Sequence, residues 1–145
     1  MANFITLQST YKNVECALFN NTLCIGTFTI DKTKASKQLL LSIGALLNQH
    51  CISFSELSFI AVNHGPGPFT TLRVVIATVN GLSFASNIPL IGIDGIIAFL
   101  NEQNQNDNNV ALLNAFSGDV YFGIKTNKGQ VETGYQKAET LIAHL

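Results

Sequence analysis

"NHGPGPFTTLR", residues 63–73, sets two glycines, two prolines and a Thr-Thr pair between two apolar runs. Before it stands "LSFIAV" (57–62), short and buried in character like a strand; after it stands "FTTLRVVIATVNGLSFAS" (69–86), long enough for a helix. A strand, a glycine-rich bend and a helix is also the layout of a phosphate cradle. A cradle, however, needs several inward backbone N–H groups and usually a lysine. Pro66 and Pro68 remove two donors, no lysine follows, and neither GxxxxGK[ST] nor GxGxxG is completed. The prolines fix φ and the glycines permit turns that other residues refuse. The stretch therefore reads as a stiff elbow, with Pro68 near the first helical position and a threonine hydroxyl near the cap.

The helix that the elbow launches has more apolar surface than one sheet can cover. At 100° per residue Leu72, Val75, Ile76, Val79 and Leu82 share a core-facing stripe, while Val74, Ala77, Gly81 and Ala85, with Phe84 beside them, form a second one. Only Arg73, Asn80 and Asn87 are clearly polar. "KASKQLLLSIGALLNQH" (34–50) repeats the pattern: Leu39, Ile43, Leu46 and Leu47 suit a core, and Leu41, Gly44 and Ala45 fall outside it. Two covers are open for the outer stripes: other parts of the same chain, or the helices of a partner.

Upstream, "FITLQST", "NVECALFN" and "LCIGTFTI" read as strands with short connections, an antiparallel meander. "SFSE" (53–56) fits a capping box, "IPLIGI" (88–93) a strand, and Asp94 to Glu102 a helix. The order expected over residues 1–100 is βββαβαβα, an α/β domain with a mixed sheet. "NEQNQNDNN" (101–109) has no apolar residue and is expected to be a linker. Residues 110–145 then carry three further strands, a turn at "NKG" and the start of a helix near 137, the beginning of a second domain.

Of the 145 residues 47% are hydrophobic and 12% charged, with a net charge of −1. Such a chain builds a core, has no basic excess to draw nucleic acid, and shows no signal-peptide pattern or uninterrupted membrane-length run, so a cytoplasmic protein is expected. Cys16, Cys24 and Cys51 make no CxxC pair and are expected as reduced thiols, Cys51 a buried one. His50, His64 and His144 are scattered without HExxH or HxxxH spacing, no GxSxG occurs, and Asp31, Glu56, Asp94 and Asp119 stand far apart. Neither a metal site nor a catalytic group is expected.

The stretch from Phe59 to Ile93 resembles the TsaB (YeaZ) family, whose hallmark is "GPGSFTGLR" followed by an "AxGLA" helix and "IPLxGV". Gly65, Pro66, Gly67, Phe69, Thr70, Leu72 and Arg73 match that hallmark, whereas Pro68 stands for Ser and Thr71 for Gly. "KASKQLLLSIGALL" is similar to the family's "HSExLLPxIxxLL", with Ala35 for His. The resemblance implies an actin-like (ribonuclease H-like) domain and a non-catalytic role in making threonylcarbamoyladenosine on tRNA. It implies pairing with TsaD, the catalytic sibling, through the first two helices of each protein, with a TsaE-like ATPase as a further candidate partner. Homodimers through the same helices are the other pairing it implies. No cofactor, no direct nucleic-acid contact and no membrane are expected. Three departures stand out. Gln8 replaces the Asp of the first strand, which removes an anionic Mg²⁺ ligand and weakens the alternative of an actin-like ATPase. Asn114 and Phe116 replace an Asp and an Arg downstream, and the second domain stops early against the family pattern.

Overall fold

The structure, a computed structural model, describes residues 2–104 and 107–143. Three antiparallel strands come first: β1 (Asn3–Ser9), β2 (Asn13–Asn20) and β3 (Leu23–Asp31). Then follow α1 (Ala35–Gln49), β4 (Leu57–Gly65), α2 (Phe69–Ser86), β5 (Leu90–Asp94) and α3 (Gly95–Glu102), the expected order. The five strands form one mixed sheet, ordered β3-β2-β1-β4-β5, in which β4 runs parallel to β1.

Alternation along the strands decides which face is covered. Ile5 pairs with Leu18 on one side and Ile60 on the other, and Leu7 with Cys16 and Val62; all six are buried. Ala35, Leu39, Ile43 and Leu47 of α1, spaced four apart, meet that face together with Val75 and Val79 of α2. Each such aliphatic side chain contributes about 1.5–3 kcal/mol on burial. On the sheet's other face Phe4 stacks between Phe19 (5.0 Å) and Phe59 (4.5 Å), as strand register requires of cross-strand neighbours.

Both helices stop on a left-handed residue. After α1 the N–H of Cys51 (φ 55°) donates to Asn48 O at 3.1 Å and that of Ile52 to Leu47 O at 3.0 Å, a Schellman closure with cysteine where glycine is usual. Cys51 is consequently exposed, against the buried thiol expected, because a residue that turns the chain out of a helix cannot also face the core. The buried thiol is Cys16, pushed up to about 12 by its burial and by neighbouring Cys24.

The chain separates into two compact units between Ile93 and Asp94, not at the expected linker 101–109. Residues 105 and 106 of that segment lie outside the described residues. In the second unit β6 (Asn109–Asn114), β7 (Asp119–Lys125) and β8 (Val131–Lys137) make an antiparallel sheet in sequence order, with α4 (Ala138–Ile142) after it. Asp94 Oδ1 accepts from the N–H groups of Ile96 (2.9 Å) and Ile97 (3.0 Å), which starts α3 sharply and assigns it to this unit. Gly123 is where α3 lands: a Cβ there would collide with Ile96 and stand 2.9 Å from Leu100.

Candidate functional site

At the elbow, β4 ends on Gly65 with φ 123°, a conformation that favours glycine, and Asn63 Oδ1 accepts its N–H at 2.9 Å. The Gly65–Pro66 peptide is cis. Pro68 takes an extended conformation and is itself the cap residue, its carbonyl accepting from Leu72 N–H at 2.8 Å. The expected threonine cap does not form. Thr71 is turned inward and buried, and Thr70 is exposed on the opposite side. Arg73 instead lies over the exposed ring of Phe69, 5.2 Å from its centroid, worth about 0.5–1 kcal/mol at an open site. The motif residues thus divide into those that bend the chain (Gly65, Pro66, Gly67) and those that dress the first turn of α2.

Among the described residues no three His, Cys, Asp or Glu side chains are grouped to hold a cation. His64 lies across Gly92 of the neighbouring strand and His50 over Gly26; His144 lies outside the described residues. The carboxylates that sit below their ordinary range do so as local clasps. Asp31 is held by the Thr33 hydroxyl and N–H, Glu56 by the Ser53 hydroxyl and N–H, and Asp119 by the Tyr135 hydroxyl and Lys137. Gln8, at the position of the missing acid, donates to Glu15 Oε2 at 2.7 Å. The signal for this pairing was the register of the first hairpin, which sets residue 8 opposite residue 15.

The two helices present the larger feature. Only Thr71, Val75 and Val79 of the eighteen residues of α2 are buried. Of the side chains expected on the outer stripes, Leu41, Ala45, Ala77, Gly81 and Ala85 are exposed and Gly44 is half-buried. Val74, also expected on the outer stripe, is half-buried and packs against the core, standing 60° around the helix from Thr71. Exposed Leu40 (52%) and Phe84 (92%) extend the face. Leu40 was not anticipated, because it stands within 60° of the core residue Ile43. A Cβ built on Gly44 or Gly81 would meet nothing within 4 Å. Both glycines therefore weaken their helices without any packing need inside the chain. At the end of α2 the face runs into an open groove lined by Ser83, Phe84, Asn87, Ile88 and Pro89. By length and mean hydropathy (1.2) α2 would also suffice to cross a membrane. Val75 and Val79 in the core, and Arg73 on the surface, mark it as a helix packed on a sheet.

Three comparisons bear on this arrangement. The family described as "TsaD: tRNA N6-adenosine threonylcarbamoyltransferase" matches residues 30–142. The tRNA threonylcarbamoyladenosine biosynthesis protein TsaB of Haemophilus influenzae is 31% identical over 90 residues, 60% of this chain and 38% of the relative. That of Escherichia coli is 24% identical over 109 residues, 73% of this chain and 47% of the relative. The matched region therefore spans less than half the length of these relatives. Among solved structures YeaZ from Pseudomonas aeruginosa superposes with a TM-score of 0.72 at 22% identity, covering 94% of this chain and 66% of that one. The likeness is one of fold, the actin-like α/β domain with a mixed five-stranded sheet.

Proposed function

The chain belongs to the TsaD family in its TsaB (YeaZ) form, and on that premise we propose that it is a non-catalytic subunit in threonylcarbamoyladenosine synthesis on tRNA, docking a TsaD-like protein through α1 and α2. The observation that carries this reading is the uncovered apolar face. Leu41, Ala45, Ala77, Gly81 and Ala85 line it, and its two idle glycines leave room for another helix to approach closely. Lys37 and Arg73, near the starts of the two helices, are the only charged residues of α1 and α2, so the rest of the stripe is free of charge, as the centres of protein interfaces are. The subunit's contribution is shape: the sheet holds α1 and α2 side by side, and the elbow fixes the direction in which α2 leaves β4. Val74 belongs to the support beneath the face rather than to the face. The cellular setting is cytoplasmic, where the tRNA is.

The test is co-elution of the purified chain with the TsaD-like protein of its own genome. Ala77→Arg and Gly81→Leu both project into open space, so each is expected to keep the circular dichroism of the parent and lose the complex. Undiminished co-elution of either variant would remove α2 from the interface. A symmetrical dimer lost in the same variants, with no TsaD bound, would assign the face to self-association instead.

A further inference from the structure

We propose that a lysine cluster at one end of the first unit is a docking surface for the phosphate backbone of RNA. Four of the chain's eight cationic side chains fall within 26 residues: Lys12, Lys32, Lys34 and Lys37. The fold brings them to one edge. Lys12 is in the turn between β1 and β2, Lys32 and Lys34 form the 3₁₀ turn that follows β3, and Lys37 is in the first turn of α1. The two turns are tied directly, Lys32 N–H donating to Lys12 O at 3.0 Å, while Asn13 pairs with Asp31 in the adjoining strands.

All four lysines are exposed, and among the described residues none makes an ion pair; the one found joins Lys137 to Asp119 in the second unit. The acids of the first unit are otherwise engaged. Asp31, amid the cluster, accepts from Thr33 N–H at 2.8 Å and from the Thr33 hydroxyl, Glu15 accepts from Gln8, and Glu56 from Ser53. The whole-chain balance of −1 conceals this arrangement. Residues 1–93 hold five cationic and three anionic side chains, a balance of +2, and residues 94–145 three and six, a balance of −3. The expectation of no nucleic-acid contact rested on the undivided total.

The 3₁₀ turn that runs into α1 is capped by Asp31, whose carboxylate accepts from Thr33 N–H at 2.8 Å, and Lys32, Lys34 and Lys37 outnumber that one acid around it. The two turns carry Thr10, Asn13, Thr33 and Ser36 beside the lysines, and the exposed Leu40 and Leu41 one turn beyond Lys37 belong to the helical face proposed for a partner, so the lysine edge itself is polar, which favours a phosphate backbone over a lipid surface. Choosing RNA among polyanions rests on the proposed place in tRNA modification.

Fluorescence anisotropy with a labelled unmodified tRNA transcript and an unrelated RNA hairpin of equal length tests the surface. Both RNAs are expected to bind comparably, since lysines on phosphates carry no base readout. The logarithm of the binding constant should fall with the logarithm of salt at a slope of about −3 to −4, close to −0.9 for each of four contacts. The combined K12Q, K32Q, K34Q and K37Q variant is expected to lose roughly tenfold or more in affinity at about 50 mM salt and most of the slope, with K128Q unchanged. Should the fourfold variant not fold, the pairs K12Q/K32Q and K34Q/K37Q should each lower the slope by about two. Salt-independent binding, no binding at low salt, parental affinity in the variants, or preference for phosphatidylserine vesicles over RNA would each overturn the proposal. RNA binding without TsaD co-elution would keep this surface and discard the helix pairing; co-elution without RNA binding would do the reverse.

Discussion

The two units bury their interiors very differently. The first gathers sixteen buried residues into one cluster, with helices on one face of a five-stranded sheet. Among the described residues the second has a cluster of three, Ile96, Leu100 and Ala111, on a three-stranded sheet, with Phe122 and Leu141 buried besides. The glycines differ by element rather than by unit: Gly44 and Gly81 in α1 and α2 stand in open space, whereas on the strands Gly26 lies against Leu46 and His50, Gly123 under α3, and Gly134 under the ring of Phe122, 2.7 Å from where a Cβ would be. The first unit encloses a large core and still leaves apolar surface uncovered, and the second encloses little. A 52-residue unit of that kind is near the lower limit for holding itself together, which places the demand for rigidity on the unit that carries the helical face.

The largest expected effect sets the two cores against each other. Ile43→Ala removes a fully buried side chain from the larger core and should lower its stability by about 2–5 kcal/mol. Gly123→Ala drives a methyl into Ile96 and Leu100 and should cost the second unit about 1–3 kcal/mol. Amide hydrogen exchange separates them: Ile43→Ala should speed exchange in β1, β2 and β4, and Gly123→Ala in β6, β7 and β8. Equal loss of protection in both sheets from either variant would mean that the chain unfolds as one body, and the contrast between the units would fall.

A smaller effect, of opposite sign, sharpens the glycine contrast. Gly44→Ala and Gly81→Ala should each stabilise the isolated chain by about 0.5–1 kcal/mol, raising the melting temperature by a few degrees, because the added methyl fills open space and the helix gains propensity. Destabilisation by either would show that a neighbour already occupies that space. Under the proposed pairing the same changes weaken the complex, so stability and binding should move in opposite directions.

Much of the first unit was legible in its sequence. α2 runs over the residues read for it, and β2 likewise, because their apolar spacing follows 3.6 and 2 without interruption and their ends carry the elbow, Asn87 and the Asn-Thr turn. The unit boundary was not legible. The asparagine-rich stretch has the composition of a linker, while the true division falls at Asp94, whose carboxylate caps α3 and so joins strand to helix without a loop. Which side chains share the edge of a helical stripe was also beyond periodicity. Val74 is half-buried and Leu40 is exposed because burial there depends on what lies across from each, not on angle alone. The lysine edge escaped for a related reason: residues 12 and 32 become neighbours only through strand register.

The smallest effect lies at the far end of the second sheet. Tyr135 donates its hydroxyl to Asp119 Oδ2 at 2.6 Å, and Lys137 Nζ lies 2.9 Å from Oδ1. The phenol is raised above its ordinary value, chiefly by that hydrogen bond, and the carboxyl is lowered, first by Tyr135 and then by Lys137. The lowered carboxyl contributes stability above the unfolded carboxylate range, and this is lost as pH falls through the folded value. The raised phenol contributes below the unfolded tyrosine value, and this is lost as pH rises through the folded one. The clasp should therefore act across the middle of the pH scale and fade at both ends, weakly, because the cluster is open to solvent. Asp119→Asn should return the Tyr135 phenol toward its ordinary value and flatten both wings of the pH–stability curve of β7 and β8, leaving the first unit unmoved. Ring-carbon NMR of Tyr135 through an alkaline titration reads the first effect. An unchanged Tyr135 titration in Asp119→Asn would mean that the hydrogen bond is not kept in solution, and the second unit would then be looser still than its small core implies.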